Sequence, residues 1–565
     1  MISKQVVKEF LNQELDDWSW IKKATEEELL TELKLISPNF KFKIKPRLCQ
    51  LACLLLGYWN KDFNFWLDMG VGKSKVILDI ISLQRSLGKK DKVLILAFNV
   101  TSVGSWIDQI KEHSDLSYSK LIGTWDDRLT ALEEDKDIYL LNYAGLYSLL
   151  TKRAFVSIKN LKKDDPIIIK LKEGGSYCGV IVKITKLDIS LDLGSGDLQV
   201  VKQEDIKGVL KNTKLKYDSK KVKEFSSLFN TIVFDEIHTS GCRNRKSLTW
   251  KICSKISSAM EHSYGLTGTP LGRDPMDLWP QFYLVDKGET LGEVIEVYQQ
   301  AYFSASYGYF GGVEYTFKSK LESALHKRLR HKSIRYTEDE LFDLPQVVRT
   351  EVKLTFTVEV YEYYTRALEG FTESLKGDYK TLENAFTKLR QLTAGFLYFK
   401  HEEKGRVSID FEDNPKLGAL EEIISGLPES EKIIVFHEFI ESGHLIEKQL
   451  KKLSINYVRL YKDKEDARIK FIKDPNCKVF LANSQSGGTA LDGLQVAKYG
   501  VFYESPVSPI IRKQAEKRFT GARQLKHRSF IYDLVIKNSI DERVLEFLKE
   551  GKDIFEALVE GKIKL

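Results

Sequence analysis

Leu67-Asp68-Met69-Gly70-Val71-Gly72-Lys73-Ser74 has the residue types and spacing of a loop that cradles phosphates. The apolar run from Phe63 to Leu67 reads as a strand, and Val76 to Ile81 reads as a helix. A strand, a glycine turn and a helix start aim several backbone N–H groups and the positive end of a helix dipole at an anion. Gly70 and Gly72, on either side of Val71, let the backbone come close to phosphates. Lys73 would reach the outer phosphates, and the Ser74 hydroxyl would bind Mg²⁺. The strict pattern has glycine where Leu67 stands, so the loop needs a partner motif. Thr231-Ile232-Val233-Phe234-Asp235-Glu236-Ile237-His238 supplies it, four strand-like residues that end in two acids and a histidine. Acids at the C-terminal tip of a buried strand are the expected metal and water site of an α/β nucleotide-binding sheet. Asp235 would hold Mg²⁺, Glu236 would orient and deprotonate the attacking water, and His238 would sense the far side of the cleft.

Such groups need a rigid sheet beneath them, and the chain has the signals for two. Strand-like runs recur at Val93–Phe98, Ile138–Leu141 and Ser263–Leu266, then at Lys432–Phe436, Val479–Ala482, Val501–Tyr503 and Phe530–Leu534. Their alternation with helical stretches predicts parallel α/β sheets. With 565 residues the chain is long enough for two to four domains. No apolar run approaches a membrane span, and Met1 to Leu15 lacks a signal-peptide core. The six cysteines form no Cys-x-x-Cys pair, which argues against a zinc site or a disulfide framework and for a reducing compartment.

The order of the motifs resembles that of the superfamily 2 helicases and translocases, and within them the Swi/Snf-type DNA-dependent ATPases. Asp68 to Ser74 is similar to motif I, Asp235 to His238 to a DEAH-type motif II, and Leu266-Thr267-Gly268-Thr269-Pro270 to motif III. Gln50, in Pro46-Arg47-Leu48-Cys49-Gln50, resembles the glutamine ahead of motif I that reads adenine, with Arg47 beside it. Leu344-Pro345 and the following Val352 to Tyr364 resemble the entry to the second lobe, and Ile433 to Phe439 resembles motif IV. Gly487 to Asp492 resembles motif V, which would bring Gly488 and Asp492 to the nucleotide, with Gly493 inserted after it. Gln514-Ala515-Glu516-Lys517-Arg518 opens a motif VI that departs from the family. Arg518 matches the first arginine, Gly521 occupies the place of the second, and Arg523 stands where a glycine is usual. The arginine that stabilises transition-state charge is therefore Arg518 or Arg523.

The resemblance implies two RecA-like lobes that close on ATP and Mg²⁺, with His238, Thr267 and Thr269 coupling hydrolysis to motion. It also implies a nucleic-acid track along strand ends, where Asn99, Thr101, Asn142 and Thr489 could donate to phosphates. Each of these four is equally readable as an ordinary turn cap. The expected fold is α/β, with a helical linker region and a small β-barrel-like insertion in lobe one. Residues 1–40 read as an N-terminal helical accessory region, in which Trp18 and Trp20 pack rather than stack on bases, and 41–150 as the first part of lobe one. Residues 151–222 read as the insert and 223–290 as the rest of lobe one; 291–415 read as the linker and entry to lobe two, and 416–565 as lobe two.

Within the insert, Leu187 to Leu193 alternates apolar and polar, and Gly174-Gly175 and Gly194 to Asp197 mark turns. The pattern is similar to Sm-like or SH3-like barrels. Lys152 to Lys221 carries seven more basic than acidic residues, equal to the net charge of +7 of the whole chain. The insert therefore suits either a nucleic-acid backbone, a protein partner or a solvated surface. The expected function is an ATP-driven translocase or helicase on double-stranded or branched DNA. An RNA helicase and a nucleotide-switched scaffold that binds DNA or a partner without moving are the alternatives. No nuclease constellation is apparent. The expected setting is cytoplasmic, in a bacterial cell or a virus-infected host, with the nucleus left open.

Overall fold

The chain is described by a computed structural model. It covers residues 3–152, 158, 161, 166–172, 176–185, 187–192, 198–211, 216–238, 241–268, 275–307, 313–342, 346–374, 379–401, 405–460, 464–484, 493–520 and 528–551. The first lobe is built on a seven-stranded sheet. Its order runs Ser333–Tyr336, Asp62–Leu67, His262–Thr267, Thr231–Phe234, Val93–Ala97, Ile138–Asn142 and Tyr118–Lys120. Every pairing is parallel. The apolar runs are continuous because both faces are covered by helices. Val93, Ile95, Leu140 and Val233 face one core with Val76 and Ile80 of the helix Lys73–Ser86. Leu94, Leu96, Leu141, Ile232 and Phe234 face the other, with Leu146 and Ile252.

The second lobe repeats the plan with six parallel strands. Their order is Val347–Leu354, Ser529–Ile536, Tyr499–Phe502, Ile433–His437, Val479–Asn483 and Tyr457–Arg459. Ile433, Val435 and Leu481 pack on one side, and Ile434, Phe436, Phe480 and Phe502 on the other. The α/β class with two RecA-like parallel-sheet lobes is thus borne out. The stretch 291–415, expected as linker, gives an edge strand to each sheet as well as the helices Val358–Ser374 and Tyr379–Thr393. Ser333–Tyr336 belongs to lobe one, and Val347–Leu354 to lobe two.

Within the insert, five antiparallel strands lie in the order Ile206–Lys211, Pro166–Leu171, Ser176–Ile184, Asp188–Asp192 and Leu198–Lys202. Ile169, Ile181, Ile189, Val201 and Val209 enclose a small core of their own. The module stands on a two-stranded stem, in which Thr151 pairs with Tyr217 and Lys152 with Lys216. At the N-terminus, Trp18 and Trp20 stack on Trp59, with ring centroids 6.0 and 6.3 Å apart.

Candidate active site between the two lobes

Because the lobe-one strands are parallel, their C-terminal ends share one edge, and the predicted motifs gather there. The loop after Asp62–Leu67 turns at Gly70 (φ 82°) and Gly72 (φ 99°), a left-handed conformation that glycine adopts at little cost. Lys73 opens the following helix. Its Nζ donates to the Leu67 carbonyl at 3.1 Å and lies 3.8 Å from Glu236 Oε1. Gln50 braces the loop from outside. Its Nε2 donates to the Val71 carbonyl at 2.8 Å, and its Oε1 accepts the Arg47 backbone N–H at 2.9 Å. A side chain at position 72 would strike Gln50, because a Cβ there lies 2.2 Å from Nε2. Arg47 donates to the Gly70 carbonyl at 3.1 Å. Both residues expected at the adenine thus also hold the phosphate loop. Ser74 follows Lys73 on the same first turn.

Asp235 and Glu236 follow the central strand Thr231–Phe234. Asp235 Oδ2 accepts the Trp106 indole N–H at 2.9 Å, and the Asp235 carbonyl accepts the Tyr143 hydroxyl at 3.1 Å. Burial, with the Glu236 carboxylate next in importance, pushes the Asp235 carboxyl up to about 6. An acid in that state gains from a nearby cation, so the donor set of Asp235 and the Ser74 hydroxyl fits a divalent ion completed by phosphate and water. Glu236 has φ 48°, a left-handed conformation uncommon outside glycine. It turns the carboxylate toward both Lys73 and His238, whose Nδ1 is 3.3 Å from Glu236 Oε2.

His238 is buried, and desolvation lowers its pKa, which favours the neutral ring. Its Nδ1 lies 2.7 Å from Thr267 Oγ1. The second acid and the end of the neighbouring His262–Thr267 strand are thereby joined through one imidazole. Gly268 comes next, so close to the phosphate loop that a Cβ would sit 3.7 Å from Lys73 Nζ. Thr269 lies outside the described residues.

Lobe two closes the cleft with the helix Pro509–Thr520. Lys513, Gln514 and Lys517 line a cleft of about 310 Å³ opposite Asp68, Met69, Glu236 and Gly268. Lys513 Nζ is 3.8 Å from Asp68 Oδ2, and Lys517 pairs with the fully buried Glu338. Arg518 is buried on the same helix. Gly488, Thr489, Asp492 and Arg523 lie outside the described residues.

Sequence reasoning missed Trp106, Lys513 and the role of Lys517. Lys517 lay within the quoted motif VI, and only the meeting of the lobes reveals what it faces. Along the same edge, Asn99 caps the helix Val100–His113 by accepting the Ser102 N–H at 2.9 Å, and Thr101 lies in that helix's first turn. Asn142 ends the adjacent strand, in register with Ala97. It is buried, and its Oδ1 has no hydrogen-bond partner among the described residues.

Residues 29–271 match the family described as "Type III restriction enzyme, res subunit". The chain is similar to the "Chromatin-remodeling ATPase INO80" of Candida glabrata, at 25% identity over 158 residues, 27% of this chain and 10% of that protein. It is similar to the protein of the same name from Debaryomyces hansenii, at 25% identity over 231 residues, 40% of this chain and 16% of that protein. The chain thus spans about a tenth of the length of the curated relatives it matches. Among solved structures, it is similar to "Sulfolobus solfataricus SWI2/SNF2 ATPase core in complex with dsDNA", with 17% identity, TM-score 0.35, and 92% of this chain and 94% of that one covered. A second is "Crystal structure of the C-terminal part of Fun30 ATPase domain", with 16% identity, TM-score 0.32, and 38% and 96% covered. Among the described residues, no helix is long and apolar enough to cross a membrane.

Proposed function

We propose that this chain, a nucleic-acid-dependent ATPase of superfamily 2 and the Swi/Snf type, is an ATP-driven motor that moves along double-stranded or branched DNA. The observation that carries the reading is the cleft itself. Its floor holds Lys73, Asp235 and Glu236 on one lobe, and its roof is the Pro509–Thr520 helix of the other. ATP would seat its phosphates on the loop from Gly70 to Ser74, with Lys73 neutralising the outer charges. Arg47 and Gln50 keep the loop in shape and lie beside the place for adenine. Ser74 and Asp235 would hold Mg²⁺, whose contribution is to neutralise and orient the β- and γ-phosphates. Glu236 would take a proton from the attacking water, and its pairing with Lys73 keeps it ionised for that task.

Loss of the γ-phosphate would weaken the link between the lobes and let the cleft open. His238 and Thr267 would pass that change to the sheet edge, where Asn99, Thr101, Asn142 and Thr489 are placed to donate to a phosphate backbone. A motor that holds one backbone with both lobes advances when they open and close in turn. The test is steady-state ATP hydrolysis measured with single-stranded, duplex, forked and four-way DNA and with RNA. Duplex or branched DNA should stimulate turnover most, on the order of tenfold or more if lobe closure limits the rate. Stimulation by RNA alone would select an RNA helicase, and indifference to every nucleic acid would select a nucleotide-switched scaffold.

A further inference from the structure

Three lysines converge on the cleft, and each faces a carboxylate. Lys73 lies 3.8 Å from Glu236, Lys513 lies 3.8 Å from Asp68, and Lys517 contacts Glu338. Lys73 comes from lobe one, and the other two come from one face of the lobe-two helix, a turn apart. Glu338 is fully buried, and its backbone N–H reaches toward Asp68 Oδ2 at 3.5 Å. It follows the edge strand Ser333–Tyr336, so it belongs to the lobe-one surface beside the phosphate loop. A buried carboxylate costs several kcal/mol unless paired, roughly as any desolvated charge does. Its partner here is a side chain from the opposite lobe. The arrangement therefore fixes where the Lys517 ammonium sits when the lobes meet, at the wall that also contains Asp68, Met69 and Gly268.

Motif VI lacks an arginine at the second usual position, where Gly521 stands, and the described helix ends before it, at Thr520. Among the described residues, the lining of the cleft includes Lys517 but not Arg518. We propose that Lys517 is the lobe-two cation that contacts the γ-phosphate, aimed by Glu338 of lobe one. An ammonium has three N–H donors, so it can keep Glu338 and still donate to a phosphate oxygen. Lys513, half exposed and facing Asp68, is the weaker contributor. The proposal rests on the nucleotide site described above, and its test separates the two.

The test uses the full chain and two probes, fluorescent ADP and ADP–beryllium fluoride, which mimics a bound γ-phosphate, together with single-turnover hydrolysis. Lys517→Met should weaken ADP–beryllium fluoride by about tenfold or more, with ADP affinity changed by less than about twofold, because only the γ-position contact is lost. Hydrolysis should fall by about a hundredfold or more. Lys517→Arg should keep most of both.

Lys517→Met strands a buried carboxylate, so the double variant Lys517→Met/Glu338→Gln serves as the control for folding and should lose the same discrimination. If the double variant tells the two nucleotides apart as well as the unmodified protein does, the proposal is wrong. It is also wrong if Arg518→Met or Arg523→Met abolishes that preference while Lys517→Met spares it. If Lys73→Ala binds both probes normally, the nucleotide site itself is misassigned and the proposal falls with it. Loss of binding in Lys73→Ala with full discrimination in the Lys517 variants overturns the proposal alone.

Discussion

Glu236 holds a left-handed backbone (φ 48°) to bring its carboxylate between Lys73 and His238. For a residue with a Cβ that conformation costs roughly 1–2 kcal/mol, so the surrounding contacts must over-determine it. The Ile237 N–H donates to the Leu266 carbonyl at 3.1 Å, and the Asp235 N–H donates to the Leu96 carbonyl at 3.0 Å. These two bonds clamp the turn from both sides. Glu236→Gln keeps the shape and removes the base, so ATP should still bind while turnover falls by roughly two to four orders of magnitude. Lys73→Ala should instead weaken ATP binding and turnover together. Equilibrium nucleotide binding alongside steady-state hydrolysis distinguishes the two, and near-normal hydrolysis in either variant contradicts the assignment.

Glu504 lies at the end of the Tyr499–Phe502 strand, buried in lobe two. Its carboxylate accepts the Glu438 backbone N–H at 2.9 Å and the Ser442 hydroxyl. Burial pushes its pKa from the ordinary 4.5 to about 7. A carboxyl whose folded pKa is raised binds more protons in the native state between those two values. Stability is therefore lost as pH rises from 4.5 to about 7, and the cost is complete above that. Glu504→Gln preserves hydrogen bonding without the charge. It should raise stability at pH 8 by on the order of 1–3 kcal/mol and change little near pH 4. Thermal unfolding across that range checks it, and an equal shift at both ends would contradict the cause given.

At the scale of elements, the central strands and the phosphate loop were legible because their signals are local. Val93–Ala97, Ile138–Asn142 and Thr231–Phe234 are covered on both faces and read as unbroken apolar runs. The edge strands were not legible. Tyr118–Lys120 and Tyr457–Arg459 are three residues each, and Val347–Leu354 is half exposed with charges at Arg349, Glu351 and Lys353. An edge strand faces solvent on one side, so its sequence keeps no apolar period to detect. Contacts such as Trp106 to Asp235 or Lys517 to Glu338 join residues far apart in the chain, and no spacing rule encodes them.

The insert was legible as short β runs with glycine turns, and its stem makes a further test possible. Thr151 and Lys152 pair with Tyr217 and Lys216, so the chain enters and leaves the module side by side. A short Gly/Ser linker in place of residues 152–221 should therefore leave the nucleotide site folded. Basal ATP hydrolysis should persist. DNA binding should weaken and depend less steeply on salt, because fewer phosphate contacts release fewer counterions. Binding isotherms at several salt concentrations measure this, and an unchanged slope would turn the module into a candidate protein-binding surface.

At the scale of the molecule, two sheets with separate cores meet along a small polar cleft rather than a shared apolar one. The described contacts of the Pro509–Thr520 helix with the phosphate-loop side are ion pairs, Lys513 with Asp68 and Lys517 with Glu338. Such an interface can be remade by a charged ligand without disturbing either core. ATP, with its own negative charge, is the ligand that would change it most, which is how a two-lobed protein can turn hydrolysis into motion. The most direct measurement is displacement of a third DNA strand from a triplex by the full chain supplied with duplex DNA, Mg²⁺ and ATP. The account predicts ATP-dependent displacement that Glu236→Gln abolishes while DNA binding remains. A protein that hydrolyses ATP and binds the duplex, yet never displaces the third strand, would contradict the claim that it moves.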